Sequence, residues 1–211
     1  MSAGALARAL RLVVIVGEGA ADGPGPVDVA AAAVRGGATM LQVRAKSLGA
    51  AALADLTRRI IRVAGAVPVI VNDRFDVATL TGASGCHLGQ DDFPIAEARR
   101  LAPPGFLLGG SAGNEAEARA AAAQGAHYLG IGPVRSTGNK KGAGAVIGVD
   151  GFQRVLAAAG LPAVAIGGIT VNDVRALMAA GAAGVAVIGA VSGARDPEVA
   201  AHELREAVDA R

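Results

Sequence analysis

Residues 67–92 read VPVIVNDRFDVATLTGASGCHLGQDD and contain two short apolar runs with a longer segment between them. The runs 67–71 and 85–89 are apolar and too short for typical helices. The segment 73–81 spaces its apolar residues as one face of a helix does. A buried strand, a helix and a second buried strand in this order are typical of a parallel βαβ unit.

The same alternation extends in both directions from this unit. Further strands are predicted at 12–16, 39–43, 106–110, 127–131, 162–166 and 184–188, and further helices at 27–35, 50–64, 95–101, 115–124, 151–159, 171–180 and 197–210. Eight strands, each followed by a helix, predict an α/β protein with a single (β/α)8 TIM barrel over residues 1–211. A flavodoxin-like open sheet is the alternative, because strands are easily miscounted in a single sequence.

The composition is that of a globular domain with a core of small side chains. Hydrophobic residues make up 52% of the 211 residues and aromatic residues only 2%, so Ala, Val, Ile and Leu must form most of the core. The net charge is only +2. Because nucleic-acid binding relies on basic patches and aromatic stacking, this composition weighs against a nucleic-acid partner.

The chain shows neither an export signal nor a membrane segment. The apolar run 12–16 is too short for the core of a signal peptide, and Glu18 follows it almost at once. No stretch approaches the roughly 18 apolar residues of a membrane helix. The lone Cys86 excludes an internal disulfide and fits a reducing compartment. We therefore expect a cytoplasmic protein without a membrane partner, and self-association into a homo-oligomer is left open.

Polar residues and glycines follow the predicted strands, and polar residues are nearly absent before them. They are Gln42, Arg44 and Lys46 after the second strand, Asn72, Asp73 and Arg74 after the third, His87 to Asp92 at the end of the fourth, Ser111 after the fifth, the loop 132–144 after the sixth, Gly167 and Gly168 after the seventh, and Gly189 after the eighth. In a TIM barrel the loops after all strands share one face, where active sites lie. This one-sided distribution predicts an enzyme.

The charges predicted on this rim suit a phosphorylated ligand. Arg44, Lys46 and Lys140 supply cations for phosphate oxygens. Asp73 and Asp92 are carboxylates at neighbouring strand ends, and Mg²⁺ uses one or two such ligands when it bridges to a substrate phosphate. Glycines after the seventh and eighth strands offer backbone N–H groups at the usual phosphate position of a barrel. We expect a metal-linked diphosphate and a separate monophosphate.

Several of these residues also have a purely structural interpretation. Asp73 and Asp92 would each cap the helix that follows. His87 would be a hydrogen-bonded residue inside the barrel, and Cys86 a small core residue. The clustering at one rim, rather than any single residue, favours a functional site.

Six motifs, in this order and spacing, resemble the thiamine-phosphate synthase family over most of the chain. They are QVRAK (42–46), VIVNDRFDVA (69–78), HLGQDDFP (87–94), GAHYLGIGPV (125–134) followed by Thr137 and Lys140, AIGGI (165–169) and GVAVI (184–188). The resemblance implies a transferase that joins a hydroxymethylpyrimidine diphosphate to a thiazole phosphate and releases pyrophosphate. It also implies a dissociative mechanism, in which the bond to diphosphate breaks before the thiazole nitrogen captures the cation.

The resemblance further assigns roles to individual residues. It implies that the pyrimidine diphosphate is held by Gln42, Val43, Arg44, Ala45, Lys46, Asn72 and Ser111, and the thiazole phosphate by Thr137, Gly138, Asn139, Gly168, Ile188 and Gly189. Asp73 and Asp92 would bind Mg²⁺, the implied cofactor. Arg44, Lys46, Ser111 and Lys140 would be the catalytic residues, and the three cations among them would stabilise the leaving diphosphate.

The chain departs from the family pattern mainly on the thiazole side. Asn139 stands where the family has a second threonine, Gly189 where a serine is common, Gly113 where a histidine is common and Arg135 where an apolar residue is usual. These departures leave two other functions open, a TenI-like thiazole tautomerase and a non-catalytic barrel that binds thiazole phosphate as a regulator. The retained pair Asp73 and Asp92 weighs against a tautomerase, which has no evident need for it.

Overall fold

Eight parallel strands form a closed barrel in the computed structural model, which describes residues 2–18, 24–138 and 144–210. They are β1 (Leu12–Val16), β2 (Met40–Val43), β3 (Val69–Asn72), β4 (Gly85–Leu88), β5 (Leu107–Ala112), β6 (Tyr128–Ile131), β7 (Ala163–Ile166) and β8 (Gly184–Val187). The predicted TIM barrel is confirmed. The strand ends differ from the predicted ends by no more than about two residues, within the usual error of such assignments.

The barrel closes because the first strand pairs with the last. Val13 lies opposite Met40 of β2 on one side and opposite Ala186 of β8 on the other. This pairing excludes the open flavodoxin-like sheet. Closure leaves no unpaired strand edge and brings the carboxyl ends of all eight strands to one rim.

The helices of the described residues cover the barrel wall and its N-terminal end. They are α1 (Ala3–Ala9), α2 (Pro26–Arg35), α3 (Ala50–Ala64), α4 (Phe75–Thr81), α5 (Ile95–Leu101), α6 (Glu115–Ala123), α7 (Gly148–Ala159), α8 (Val171–Ala179), α9 (Gly189–Ser192) and α10 (Pro197–Asp209). Eight of them match the predicted helices in position. The sequence pattern does not predict α1 and α9.

Each wall helix packs through an apolar face at helical spacing. In α3, Leu53, Leu56 and Ile60 are almost fully buried, whereas Arg58 and Arg59 are exposed. Burial of each large apolar side chain contributes about 1.5–3 kcal/mol. The pattern that predicted the helix is therefore also what fixes it to the barrel.

Helix α1 closes the N-terminal end of the barrel. The Ser2 hydroxyl accepts a hydrogen bond from the Ala5 amide and so caps the helix. Leu6, Ala9 and Leu10 pack against the side chains that fill the barrel interior. With this end covered, the barrel is accessible from the C-terminal rim.

Among the described residues, no helix combines the length and the apolar character that a membrane-spanning helix requires.

Candidate active site

A cavity of about 1040 Å³ lies at the C-terminal rim of the barrel. Its walls come from the ends of all eight strands and from the loops that follow them. Within the described residues, most of the polar side chains singled out in the sequence line this one cavity. The rim predicted from the distribution of polar residues is thus a concave site.

The alternation of β2 decides which side chains of the segment 42–46 reach the cavity. Gln42, Arg44 and Lys46 line it. Val43 and Ala45 point the other way and are buried in the core between strands and helices. Since successive side chains of an extended chain face opposite sides, these two residues have only backbone groups to offer a ligand.

Three charged side chains meet on one wall of the cavity. The Nζ atom of Lys46 lies 2.9 Å from Oδ2 of Asp73. The carboxyl groups of Asp73 and Asp92 are hydrogen-bonded to each other. Asp92 also accepts a hydrogen bond of 2.7 Å from the Gly89 amide, which holds it in its own loop.

The environment separates the pKa values of the two carboxyl groups. Burial and the hydrogen bond to Asp73 raise the pKa of Asp92. Burial also acts to raise the pKa of Asp73, but the hydrogen bonds from Asp92 and Lys46 and the charge of Lys46 outweigh it and leave that pKa below its usual value. Of the two carboxyl groups, Asp73 therefore keeps its negative charge more readily than Asp92.

The structural interpretation of these two carboxylates is wrong. The N-cap of α4 is Arg74 and that of α5 is Pro94, and neither helix receives a side-chain cap. Asp73 instead adopts a left-handed backbone with φ of 64°, a conformation that is uncommon outside glycine. Both carboxylates line the cavity, and neither caps a helix.

The donor set of this pair fits a hard divalent cation. Two carboxylates in contact provide oxygen ligands for such a cation. In the described part of the chain, no group of three or more histidine, cysteine or acidic side chains is placed to hold a metal. A cation at Asp73 and Asp92 would thus take its remaining ligands from water or from a bound phosphate, as Mg²⁺ commonly does.

A chain of buried polar groups lies beside this pair, where the Asp73 amide donates a hydrogen bond of 2.8 Å to the His87 carbonyl. Nδ1 of His87 lies 3.2 Å from the Tyr128 hydroxyl, and Nε2 lies 3.1 Å from Oγ of Ser111. His87 is therefore the hydrogen-bonded barrel residue that was predicted, and Cys86 is a fully buried core residue as expected. Ser111 lies within β5 (Leu107–Ala112). The prediction that it follows the fifth strand is therefore wrong, because the strand continues past its predicted end at residue 110.

Sequence reasoning missed a second hydrogen-bonded group that supports Ser111. Nε2 of Gln90 donates to the Ser111 carbonyl at 2.9 Å and to Oε2 of Glu117 at 3.0 Å. The same carboxylate oxygen accepts a hydrogen bond from the Gly113 amide. The spacing of Asn114 and Glu117 is that of a helix-capping pair, and this was the signal available in the sequence.

The predicted thiazole-phosphate side is built by the loops after β6, β7 and β8. The described members of this set, Thr137, Gly138, Gly168, Ile188 and Gly189, line the cavity, as does Asn72 on the pyrimidine side. Asn139 and Lys140 lie outside the described residues. Most of the predicted rim residues are therefore brought together.

Glycine is required where the loops after β6 and β7 cross. Gly167 and Gly168 both have positive φ angles. A Cβ atom on Gly168 would lie 2.4 Å from the Ser136 carbonyl oxygen, and one on Gly167 would lie 2.6 Å from Cα of Pro133. These two glycines thus let the loop after β6 lie directly on the end of β7.

The chain also matches known proteins over nearly its whole length. The family profile described as thiamine monophosphate synthase matches residues 12–191. The thiamine-phosphate synthase of Methanoculleus marisnigri is 46% identical over 202 residues, which cover 94% of this chain and 95% of that protein. The thiamine-phosphate synthase of Anaeromyxobacter dehalogenans is 47% identical over 211 residues, which cover 100% and 93%.

A solved structure extends this similarity to three dimensions. The thiamine phosphate pyrophosphorylase from Pyrococcus furiosus superimposes with a TM-score of 0.88 at 34% sequence identity, over 97% of this chain and 98% of that one. The two sequence relatives and this structure each match this chain over more than nine tenths of their own length. The chain therefore belongs to the thiamine monophosphate synthase family and is an enzyme of the transferase class.

Proposed function

We propose that this enzyme joins 4-amino-2-methyl-5-hydroxymethylpyrimidine diphosphate to a thiazole phosphate, giving thiamine phosphate and pyrophosphate. The observation that carries the proposal is the cluster of Lys46, Asp73 and Asp92 on the wall of a cavity that Arg44 also lines. Such a cluster suits a diphosphate and its cation, and it faces the glycine turns that suit a second, singly phosphorylated ligand.

The residues divide between the two ligands by position. Gln42 and Asn72 would hold the pyrimidine ring, and Ser111 would offer it a hydroxyl group. Arg44 and Lys46 would contact the diphosphate oxygens, the first through its planar fork and the second as a point charge. Thr137 and the backbone of Gly168 and Gly189 would receive the thiazole phosphate. On sequence alone, Asn139 is proposed for this side and Lys140 for the diphosphate.

In the proposed reaction the C–O bond to the diphosphate breaks first. The electron pair leaves with the diphosphate, and the aminopyrimidine donates electron density to the carbon that is left positive. Arg44 and Lys46, which line the cavity, and Lys140, proposed from the sequence, would stabilise the charge that develops on the leaving oxygens. Mg²⁺ held by Asp73 and Asp92 would supply additional charge neutralisation there.

The second step needs no general base in this proposal. The thiazole nitrogen already carries the lone pair that forms the new C–N bond, so no proton has to be removed from it. The protein's contribution is to hold both rings in one cavity with the reacting atoms aligned and water displaced. No side chain has to act as a nucleophile or as a general base in this chemistry.

A direct assay tests the proposal. Purified protein is mixed with the pyrimidine diphosphate, the thiazole phosphate and Mg²⁺, and thiamine phosphate is measured after oxidation to its fluorescent thiochrome. We expect product that disappears with EDTA and returns when excess Mg²⁺ is added. Product that is insensitive to EDTA would contradict the metal assignment but not the reaction.

The same experiment separates the two other functions left open by the sequence. A folded sample that gives no thiamine phosphate would next be tested for thiazole tautomer exchange, followed by proton exchange in deuterated water. Exchange would identify a tautomerase, and binding of thiazole phosphate without exchange would identify a regulatory barrel. The cytoplasmic location, the absence of nucleic-acid and membrane partners, and any homo-oligomer remain predictions.

A further inference from the structure

In the buried hydrogen-bond chain from Tyr128 through His87 to Ser111, the donor and the acceptor of each hydrogen bond can be assigned. The Tyr128 hydroxyl is fully buried, and its hydrogen-bond partner is Nδ1 of His87. Burial raises the pKa of this phenol, so it keeps its proton. Because an O–H group buried without an acceptor is costly, the phenol must donate to Nδ1.

Donation from Tyr128 fixes the tautomer of the imidazole. With Nδ1 as the acceptor, a neutral ring carries its hydrogen on Nε2. Nε2 then donates to Oγ of Ser111, which lies 3.1 Å away. The opposite direction would leave the phenol hydrogen inside the barrel core without an acceptor among the described residues.

This direction decides how Ser111 meets a ligand. The serine oxygen already accepts from His87, so its own hydrogen is available for another acceptor. Ser111 lines the cavity, and its main chain is held by Gln90. The hydroxyl is therefore presented to the cavity as a donor in a fixed position.

Two glycines make room for this chain of side chains. A Cβ atom on Gly109 would lie 2.4 Å from Cζ of Tyr128 and 2.5 Å from Nδ1 of His87. A Cβ atom on Gly130 would lie 3.1 Å from Cε1 of His87. A glycine inside a strand usually marks such a close approach, so the strands are shaped around the imidazole.

We propose that Tyr128 and His87 are positioning residues that set Ser111 as a hydrogen-bond donor to an acceptor atom of the pyrimidine substrate. This inference rests on the function proposed above. Neither Tyr128 nor His87 needs to touch the reacting atoms, because both act through the serine hydroxyl. A ring nitrogen of an aminopyrimidine is an acceptor of the required kind.

The direction of the chain can be measured in the free protein. In protein labelled with ¹⁵N in its histidines, long-range ¹⁵N–¹H spectra distinguish the two tautomers, and His87→Gln identifies the signal of His87. We expect the Nε2–H tautomer in the natural protein and a mixture of tautomers in Tyr128→Phe. A dominant Nδ1–H tautomer in the natural protein would overturn the inference.

The role of the chain is measured with a double-mutant cycle. We expect Tyr128→Phe to lower kcat/KM for the pyrimidine diphosphate by about three- to tenfold and to leave the KM for thiazole phosphate unchanged. In a Ser111→Ala background the same change should have no further effect. An equal loss in both backgrounds would show that Tyr128 acts independently of Ser111 and would overturn the positioning role.

Two further variants separate positioning from folding. His87→Gln can still reach Ser111 with an amide N–H, so it should retain more kcat/KM than His87→Leu, and equal losses would contradict the proposal. Thr57→Val, which removes a fully buried hydroxyl of α3 far from the cavity, is the matched control and should leave the kinetics unchanged. If the natural protein makes no thiamine phosphate, the proposed function fails, whereas the imidazole spectra still report on the direction of the chain.

Discussion

Asp73 combines an uncommon backbone conformation with a carboxylate that has two side-chain partners in the cavity. Its φ angle of 64° lies in the left-handed region, and its side chain contacts both Lys46 and Asp92. Strained backbone at a site of this kind is retained when the surrounding structure needs the side chain in that place. The position of the carboxylate therefore points to function rather than to folding.

We expect Asp73→Asn to lower the rate of thiamine phosphate formation by about 100-fold or more, since losing a metal ligand costs at least as much as losing a group that orients one. Asn tolerates the left-handed conformation better than most residues, so the fold should persist. Steady-state kinetics and the unfolding midpoint measure the two effects. The control is Asp76→Asn, which breaks an exposed ion pair with Arg74. Equal rates for both variants would refute the metal assignment.

His127 links folding stability to pH. Nδ1 accepts a hydrogen bond of 2.9 Å from the Leu108 amide, and Nε2 lies 2.9 Å from a guanidinium nitrogen of Arg99. Burial and the charge of Arg99 lower the pKa of the ring in the folded protein below its usual value of 6.5. The unfolded chain therefore binds this proton more readily than the folded one, and stability is lost as the pH falls through 6.5.

We expect the free energy of unfolding to fall between pH 7.5 and 5.5, and to fall less in His127→Asn. Asn can still accept the Leu108 hydrogen bond through its amide oxygen but does not titrate. Urea denaturation at both pH values measures the difference. His202→Asn is the control, because that residue is exposed on α10. An unchanged pH dependence in His127→Asn would show that the ring does not contribute.

At the scale of residues, the sequence predicted which side chains line the cavity better than it predicted which side chains contact each other. The pattern placed Gln42, Arg44 and Lys46 on one side of a strand, and the structure has them lining one cavity. The sequence could not reveal that Tyr128 is hydrogen-bonded to His87, because the two residues belong to different strands. Their side chains meet in the space that Gly109 leaves open by having no side chain. The available signal was the glycine inside β5, whose absent side chain marks a close approach.

At the scale of elements, the long periodic segments were predictable and the short ones were not. All eight strands follow from apolar runs bounded by turn residues. Helix α9 has only four residues and begins with Gly189, so no hydrophobic period can be read from it. Helix α1 lies in a stretch whose basic and apolar residues resemble an export signal, although Ser2 provides an ordinary N-cap.

An ion pair attaches the described part of the loop after β6 to α8. Nε of Arg135 donates to Oδ1 of Asp173 at 2.9 Å, and the Arg135 amide donates to the Gly167 carbonyl. Asp173 also accepts two hydrogen bonds from Thr170, which keep it in place without the arginine. Arg135, a departure from the family pattern, therefore tethers the loop that leads to the proposed thiazole-phosphate side.

We expect Arg135→Ala to raise the KM for thiazole phosphate by about two- to fivefold, the effect of losing an ion pair worth about 0.2–1 kcal/mol between a half-exposed arginine and a largely buried aspartate. The KM for the pyrimidine diphosphate should stay the same, because the other end of the cavity is untouched. Initial rates with each substrate varied in turn measure both constants. Arg154→Ala removes a comparable contact between α7 and α6 and should change neither. A rise in both constants would show that the tether supports the whole cavity.

At the scale of the whole molecule, the barrel separates stability from activity. The N-terminal end is filled by α1 and the inner apolar cluster, whereas the cavity and its charges lie at the other end. Such a division lets the rim hold paired carboxylates and a left-handed aspartate, since the remainder of the barrel supplies the stability that these features cost. Substitutions at the N-terminal end should consequently affect stability, whereas substitutions at the rim should affect activity.

Leu10 tests this separation because it joins α1 to the barrel interior and is fully buried. We expect Leu10→Ala to lower the free energy of unfolding by about 2–5 kcal/mol, through lost burial and the cavity left behind. Denaturant unfolding measures this loss, and assays at 25 °C should give unchanged kcat and KM values. Leu80→Ala, an identical change at an exposed position of α4, should cost less than about 0.5 kcal/mol. If Leu10→Ala also altered KM while remaining folded, the two ends of the barrel would be coupled, and the charges at the rim would depend on packing at its base.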